Sequence, residues 1–401
     1  MRIDEVLQKR TIDFLLRMIS IPSLSGEEES MVELCRQVFQ EVSDKTVTIP
    51  IPQCIKKDPY YCSVKKNLDY RNRHNLGIIL SGNKKGKPLL FNAHLDVVPP
   101  SEGDRHSFSP RKEGRIVYGR GACDDKGSIA TLFLLCSLLK IRCVVPKQDI
   151  IIHLVCEEEI GGNGTLAILK DKFDAVGVIN MEPTNLHISI GHRGAVWFRI
   201  SFFGKAAHSG SPASGRSALK MAVKSMELLE GYHTDILQAS KDIEPFNVFE
   251  NPMPLTFGML NAGEWPASVP THAVIEGVCG FLQNKCTSEI QEGINTVLKA
   301  FFGKAFDDHI KVEFPFRNEP YVIDKDHYMV RTFKNALLKS GKTAEVTALT
   351  ACSDLWRYYY AQGISGIQFG PGRLEFAHAK NERISIDDIF MASEILYNFV
   401  T

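Results

Sequence analysis

Asp149-Ile150-Ile151-Ile152-His153-Leu154-Val155-Cys156, followed at once by Glu157-Glu158-Glu159, decides how this chain reads. The run is rich in β-branched residues and apolar at odd and even positions alike. It therefore predicts a strand covered on both faces, the kind buried inside a parallel or mixed sheet. Three carboxylates then stand where strand becomes loop, which is where α/β folds gather their ligands. A solvated acidic turn has the same composition, but a fully apolar strand leading straight into it argues for a site.

Strand and helix alternate on both sides of this stretch. Residues 3–19 predict a helix, with Leu7, Phe14, Leu15 and Met18 on one stripe. Residues 27–41 predict a second, opened by the capping-box pattern Ser25-Gly26-Glu27-Glu28. Residues 44–75 carry Pro50, Pro52 and Pro59 and read as a strand or two with a surface loop. Residues 75–80 and 88–93 read as neighbouring strands joined by a polar turn at 81–87. An apolar helix follows at 128–139, then a helix at 165–172 and a strand at 175–181 that ends in Glu182-Pro183-Thr184. This alternation predicts an α/β fold with a mixed central sheet flanked by helices.

Near residue 187 the texture changes. Strand-like segments at 195–203, 253–262 and 271–282 are interleaved with helices at 216–230 and 286–302. That order is the split βαβ, ferredoxin-like α+β pattern. It predicts a second domain at 188–307 inserted into a first domain made of 1–187 and 308–401, with a last helix at 387–400. A length of 401 residues also favours two domains.

Lys+Arg 47 balances Asp+Glu 47, which removes the electrostatic case for nucleic acid or an anionic membrane surface. The longest apolar run, 129–139, contains Thr131 and Ser137 and is too short to span a bilayer. Met1-Arg2-Ile3-Asp4-Glu5 leads straight into an amphipathic pattern with no secretory apolar region. The 10 cysteines are scattered, several within apolar runs, and form no Cys-x-x-Cys pair. They read as reduced, buried thiols, and the expected location is cytoplasmic.

Five short motifs carry chemistry. They are His94-x-Asp96, Asp124 in a glycine-rich turn, Glu158-Glu159, Glu182-Pro183, and His378 in Ala377-His378-Ala379-Lys380-Asn381-Glu382. In an extended chain His94 and Asp96 point to one face, so one can bind a cation while the other orients it. Beyond a strand end, Glu158 and Glu159 can diverge, one toward a metal and one toward a water. Hydrolysing an amide calls for an activated water, a polarised carbonyl and a proton shuttle, which two divalent cations and a free carboxylate supply. Nitrogen and oxygen donors without sulfur suit zinc, with cobalt or manganese as alternatives. Asp124 or Asp125 could instead cap the helix at 128–139. The Gly119-x-Gly121 and 161–164 turns match neither a Walker loop nor a dinucleotide fingerprint and read as tight turns.

Taken in order, these motifs resemble the M20 metallohydrolases, the acetylornithine deacetylase, succinyl-diaminopimelate desuccinylase and carboxypeptidase G2-like group. The resemblance spans residues 75 to 378. Ala93-His94-Leu95-Asp96-Val97-Val98-Pro99 resembles the first metal motif, and Tyr118-Gly119-Arg120-Gly121 through Asp124-x-Lys126-Gly127 the bridging-aspartate motif. Glu157-Glu158-Glu159 resembles the family's Asp-Glu-Glu, with Glu157 in place of Asp. The resemblance implies two divalent metal ions. His94, Asp124 and Glu182 would hold one, and Asp124, Glu159 and His378 the other. Asp124 is assigned as the bridge because the family pattern sets Asp two residues before Lys126. Glu158 would be the general base, and Asp96 would orient His94.

In the inserted domain, Gly204-Lys205-Ala206-Ala207-His208-Ser209-Gly210 resembles the segment whose histidine stabilises the oxyanion in the partner subunit's site. His208 thus implies a homodimer formed through this lid domain. Ser268 stands where many members carry Asn, and it is shorter and donates one hydrogen bond. His192-Arg193 reads as a packing element at the domain hinge rather than a contact to a substrate carboxylate. The implied substrate is a small molecule with a free carboxylate, either an N-acyl amino acid or, within the same family, a dipeptide or C-terminal peptide bond. The Arg71-Asn72-Arg73-x-Asn75 and Glu264-Trp265-Pro266 segments resemble the deacylase branch. A metal-free relative kept as a binding protein is the reading outside enzymes, and the full ligand set with Glu158 argues against it.

Overall fold

The computed structural model describes residues 3–401, so Met1 and Arg2 of the amino-terminal reading lie outside the described residues. The chain forms two compact units. The first comprises Met1–Gly191, Ile323–Leu349 and Ser353–Thr401, and the second His192–Val322 with Thr350–Cys352.

The first unit is built on a mixed sheet. Its strand order is Lys45–Pro50, His74–Leu80, Gln148–Val155, Lys84–His94, Gly177–Asn180, Gly366–Gln368 and Ile188–His192, with Val346–Leu349 beside the last. Gln148–Val155 is central and apolar, as its composition predicts. It runs parallel to Lys84–His94, which is parallel to Gly177–Asn180, which is parallel to Gly366–Gln368. The outer strand pairs, His74–Leu80 with Lys45–Pro50 and with Gln148–Val155, are antiparallel. The helix Lys126–Ile141 is buried from Lys126 to Leu139 and packs against Glu5–Ile19 and Ile386–Val400. A helix apolar all round has to be enclosed in this way. Phe14, Phe39 and Phe133 meet edge to face, with centroids 5.1–6.2 Å apart.

Two sequence expectations are corrected. The strands at 74–80 and 84–94 are not neighbours, because Gln148–Val155 lies between them. The segment read as a polar turn between neighbours crosses the start of that strand instead. Gly82 N–H donates to Asp149 Oδ1 at 2.8 Å and Asn83 N–H to the Pro146 carbonyl at 2.9 Å. A Cβ at Gly82 would lie 2.1 Å from the Gln148 carbonyl carbon, so only glycine passes there. The Ser25 capping box does not form either. The helix begins at Glu29 with Glu28 as its cap residue and no side-chain cap bond. Ser25 Oγ donates to Asp96 Oδ2 at 2.6 Å, and Glu28 accepts from Gly26 N–H at 2.9 Å. A buried carboxylate competes for the hydroxyl better than a helix terminus.

The second unit has the order strand Gly194–Phe203, helix Ala218–Ser240, strands Leu255–Ala262 and His272–Phe281, helix Thr287–Phe302 and strand Ile310–Asn318. Its sheet order is Leu255–Ala262, His272–Phe281, Gly194–Phe203, Ile310–Asn318, antiparallel throughout, which is the ferredoxin-like arrangement. The strand Ile310–Asn318 closes this sheet, so the unit extends beyond residue 307. The helix runs ten residues past 230 because His233, Ile236 and Ser240 continue its buried stripe. The unit boundary falls between Gly191 and His192. Arg193 Nε donates to the Thr350 carbonyl at 2.6 Å, joining the two segments that enter this unit. Among the described residues no helix is long and apolar enough to cross a membrane.

One buried charge cluster braces the first unit. Arg73 lies between Glu28, 2.6 Å from its Nη2, and Glu157, with both carboxylates almost fully enclosed. One guanidinium cannot neutralise two carboxylates. Burial, then the charge of Asp96, raises Glu28 from 4.5 to about 7, against the pull of Arg73. The folded state therefore keeps a proton that the unfolded chain releases. This contribution is full below the unfolded value and is lost as pH rises through 7. In metal-free protein, wild type should lose about 1 kcal/mol relative to Glu28→Gln between pH 6 and pH 8. Urea unfolding across that range reads the difference, and parallel pH profiles for the two proteins would contradict it.

Candidate metal centre

The parallel register brings the motifs together. His94 pairs with Val155, Asn92 with Asn180, and Asn180 with Gln368. His94, the Glu157–Glu159 turn, Glu182 and the loop leading to His378 therefore leave the same edge of four adjacent strands. This is the carboxyl edge, where α/β sheets place their sites.

Asp124 is the centre of the group. Its Oδ1 is 2.8 Å from His94 Nε2, and its Oδ2 is 3.4 Å from His378 Nε2. One carboxylate thus presents a different oxygen to each histidine. His378 Nε2 is also 3.0 Å from Glu159 Oε1. Ligand atoms of His94, Asp124 and Glu159 all lie within 4.8 Å of one another. Glu182 is outside that group. It is buried, and its Oε1 accepts from Asn180 Nδ2 at 3.0 Å.

Electrostatics mark the same place. Burial disfavours protonated His94, but the carboxylates of Asp124 and Asp96 outweigh it and raise its pKa well above the ordinary value. Burial also works against ionised Asp124, yet hydrogen bonds from His378 and His94 hold it far below the carboxylate range. Glu182 is raised well above it by burial, then by the charges of Glu158 and Asp124. Glu158 is raised likewise by burial and by Asp354. Glu159's charge, before Asp124's, raises His378. Carboxylates outnumber histidines in this partly buried corner, where the His378 side chain is half exposed, a surplus of negative charge that a cation would balance. The donors are nitrogen and oxygen. The neighbouring thiol of Cys123 donates instead to the Arg373 carbonyl at 3.3 Å. The residues fit a divalent cation of the zinc, cobalt or manganese type.

The structure alters the reading of Asp96. Its carboxylate was expected to hold the His94 imidazole, but His94 Nδ1 donates to the Asp96 main-chain oxygen at 2.9 Å, with the carboxylate 3.6 Å away. The carboxylate accepts from the amides of Glu158 at 3.0 Å and Glu159 at 3.2 Å, and from Ser25 Oγ. Asp96 therefore fixes the turn that presents both glutamates. A charged acceptor sharing two amides is a strong anchor.

Other supports went unread in the sequence. Glu382 accepts from the amides of Cys123 at 3.0 Å and Asp124 at 3.1 Å, and binds Arg120 at 2.7 Å, so it positions the Asp124 loop. Asp354, buried and bonded to Thr165 at 2.6 Å, is the charge that raises Glu158 most after burial. Asp354 has no local spacing to signal it, whereas Glu382 stands in the His378 motif but its reach back to the Asp124 loop is not readable from that motif. Asp125 is the cap residue of Lys126–Ile141 but makes no cap hydrogen bond; its Oδ2 accepts from His94 N–H at 3.3 Å. Glu157 points inward to Tyr70, Asn163 and Arg73. Glu157 and His378 hold positive φ values of 63° and 59°, an uncommon conformation for non-glycine residues that recurs at functional sites.

Arg71, Arg73 and Asn75 contact protein groups. Arg71 pairs with Asp69, Arg73 with Glu28 and Glu157, and Asn75 with Cys156 and Gly164. In the second unit His208 is exposed, and its Nδ1 accepts from Gly210 N–H at 3.1 Å. Its neutral form then carries the proton on Nε2. Ser268 pairs with His208 through the main chain, and Trp265 is exposed.

The sequence profile of peptidase family M20/M25/M40 matches residues 90–401. The chain belongs to this family and is a hydrolase of the M20 metallopeptidase type. It is 25% identical over 390 residues to a probable carboxypeptidase of Aspergillus niger, covering 94% of this chain and 86% of the relative. It is 24% identical over 412 residues to a probable succinyl-diaminopimelate desuccinylase of Staphylococcus aureus, covering 92% and 98%. The fold matches a dipeptidase from Saccharomyces cerevisiae with a TM-score of 0.78 at 15% identity, over 99% of this chain and 96% of that one.

Proposed function

We propose that this protein is a two-metal amidohydrolase that removes the acyl group from an N-acyl amino acid with a free carboxylate. The observation that carries this reading is Asp124, whose two carboxylate oxygens face His94 and His378 separately. His94, Asp124 and Glu182 would hold one divalent cation, and Asp124, Glu159 and His378 the other, with zinc as the first choice. Such a pair, when bound, lowers the pKa of water and polarises a carbonyl.

The remaining work falls to this chain's own groups. Glu158 takes a proton from the attacking water, whose oxygen bonds to the acyl carbon. As the carbon–nitrogen bond breaks, Glu158 passes that proton to the leaving amine. A base that must also act as an acid benefits from a raised pKa. Asp96 keeps Glu158 and Glu159 in place through their amides.

The deacylase reading is supported by the desuccinylase relative, which matches along nearly its whole length. A second reading, cleavage of a dipeptide or C-terminal peptide bond, is favoured by the carboxypeptidase relative. Free cysteines throughout the chain support a reducing, cytoplasmic location. A homodimer through the second unit is supported by its edge strand Leu255–Ala262, which leaves Met259 and Leu260 exposed. An apolar sheet edge is a template for pairing with another chain. His208 would act across that interface, donating Nε2–H to the oxyanion in the partner's site.

On acetyl, succinyl and dipeptide amides compared side by side, the acylated amino acids should turn over fastest. Glu158→Ala should keep the wild-type metal content while kcat falls about 10²–10⁴-fold. Unchanged turnover would remove Glu158 as the base. Mixing His208→Ala with Glu158→Ala subunits should restore up to about a quarter of wild-type activity, since half the dimers are mixed and each has one intact site. No recovery in confirmed heterodimers would contradict action across the interface.

A further inference from the structure

A line of buried polar side chains runs from the middle of the sheet to Glu182. His153 Nδ1 is 3.0 Å from Tyr358 Oη, which is 2.9 Å from Asn92 Oδ1. Asn92 Nδ2 is 2.8 Å from Asn180 Oδ1, and Asn180 Nδ2 is 3.0 Å from Glu182 Oε1. All five residues are buried: His153 and Glu182 are 5% exposed, Asn92 2%, Asn180 1% and Tyr358 0%. Placing four neutral polar side chains in a sheet core costs stability unless each is paired. Here each is paired with the next, and the line ends at a carboxylate.

The end group dictates the direction. Glu182 must be ionised to hold a cation, and a carboxylate in that form only accepts hydrogen bonds, so Asn180 turns its amide N–H₂ to Glu182 Oε1. Its oxygen then faces Asn92, which must present its own N–H₂. The Asn92 oxygen faces Tyr358, whose hydroxyl must therefore donate. The Tyr358 oxygen then accepts from His153, whose proton must sit on Nδ1. Every donor thus points toward Glu182. Dipoles aligned in one chain strengthen one another, and the low dielectric of the core enlarges the effect. Burial lowers His153 to about 4, which keeps it a neutral single donor here. Its ring lies nearly parallel to that of Tyr358, at an interplanar angle of 11°.

We propose that His153, Tyr358, Asn92 and Asn180 form a one-way hydrogen-bond relay that positions Glu182 for metal binding. Glu182 Oε1 is occupied by Asn180, and the relay holds the carboxylate so that its other oxygen serves as the ligand. The four are positioning residues that act through Glu182. Groups that orient a metal ligand typically change metal affinity about 10–100-fold when removed. This inference rests on the reading of Glu182 as a ligand.

The test measures zinc binding to dialysed, metal-free protein by competition with a chromophoric chelator, alongside thermal unfolding of the same samples. Wild type should bind two ions per chain, and failure to do so would overturn the metal reading itself. Tyr358→Phe keeps the ring and deletes only the hydroxyl. It should weaken one of the two ions about 10-fold and leave the other unchanged. Asn180→Leu, next to Glu182, should weaken the same ion by up to about 100-fold. Two ions at wild-type affinity in both variants, even with lowered thermal stability, would mean that the line is structural only and would overturn the relay. Weakening in Asn180→Leu but not in Tyr358→Phe would overturn every link beyond Asn180. Should Asn180→Leu fail to fold, Tyr358→Phe alone decides.

Discussion

The structure depends on holding several carboxylates together away from water. Asp96, Asp124, Asp125, Glu158 and Glu182 all lie within the influence of the His94 charge at one edge of a sheet, and burial pushes Asp125, Glu158 and Glu182 toward their neutral forms. Left alone, such a group would spread apart or take up protons. It stays assembled because each member is tied to rigid backbone. The register of four parallel strands sets the spacing, and the amides of Glu158 and Glu159 bind Asp96. Glu382 ties down the Asp124 loop from the far end of the chain.

This explains why a hydrolase of this class is built on a parallel sheet core. Parallel strands end together, so ligands distant in sequence meet without long loops. The buried helix Lys126–Ile141 then fixes Asp124 from below, since a helix enclosed on all sides cannot slide. Gly162 shows how tight the arrangement is: a Cβ there would lie 2.1 Å from Asp354 Oδ1. The turn presenting Glu158 therefore has little room to move, which suits a base that must meet its proton at a fixed position.

Much of this was legible in the sequence because its signals are local. Apolar strands followed by acidic or histidine residues marked His94, Glu158, Glu159 and Glu182, and the ordered motifs gave the family. What escaped was non-local. Nothing near Asp96 says that its carboxylate binds amides more than 60 residues away, nor that Ser25 would turn from its helix to join it. Gln148–Val155 could be read as a central strand, but not as the strand inserted between 74–80 and 84–94, because register is decided by long-range pairing. The polar residues Asn92, His153 and Tyr358 looked like ordinary members of a strand or helix, and only their alignment across separate elements gives them a purpose. Arg73 and Asn75, which resemble a substrate-branch motif, hold the protein's own groups.

The proposed function puts Asp124 between two cations. Anomalous diffraction at the zinc edge from zinc-loaded crystals tests it most directly. Two peaks are expected roughly 3.5–4 Å apart, one on each side of the Asp124 carboxylate, the first beside His94 and Glu182 and the second beside Glu159 and His378. A single peak, or a pair not bridged by Asp124, would contradict it.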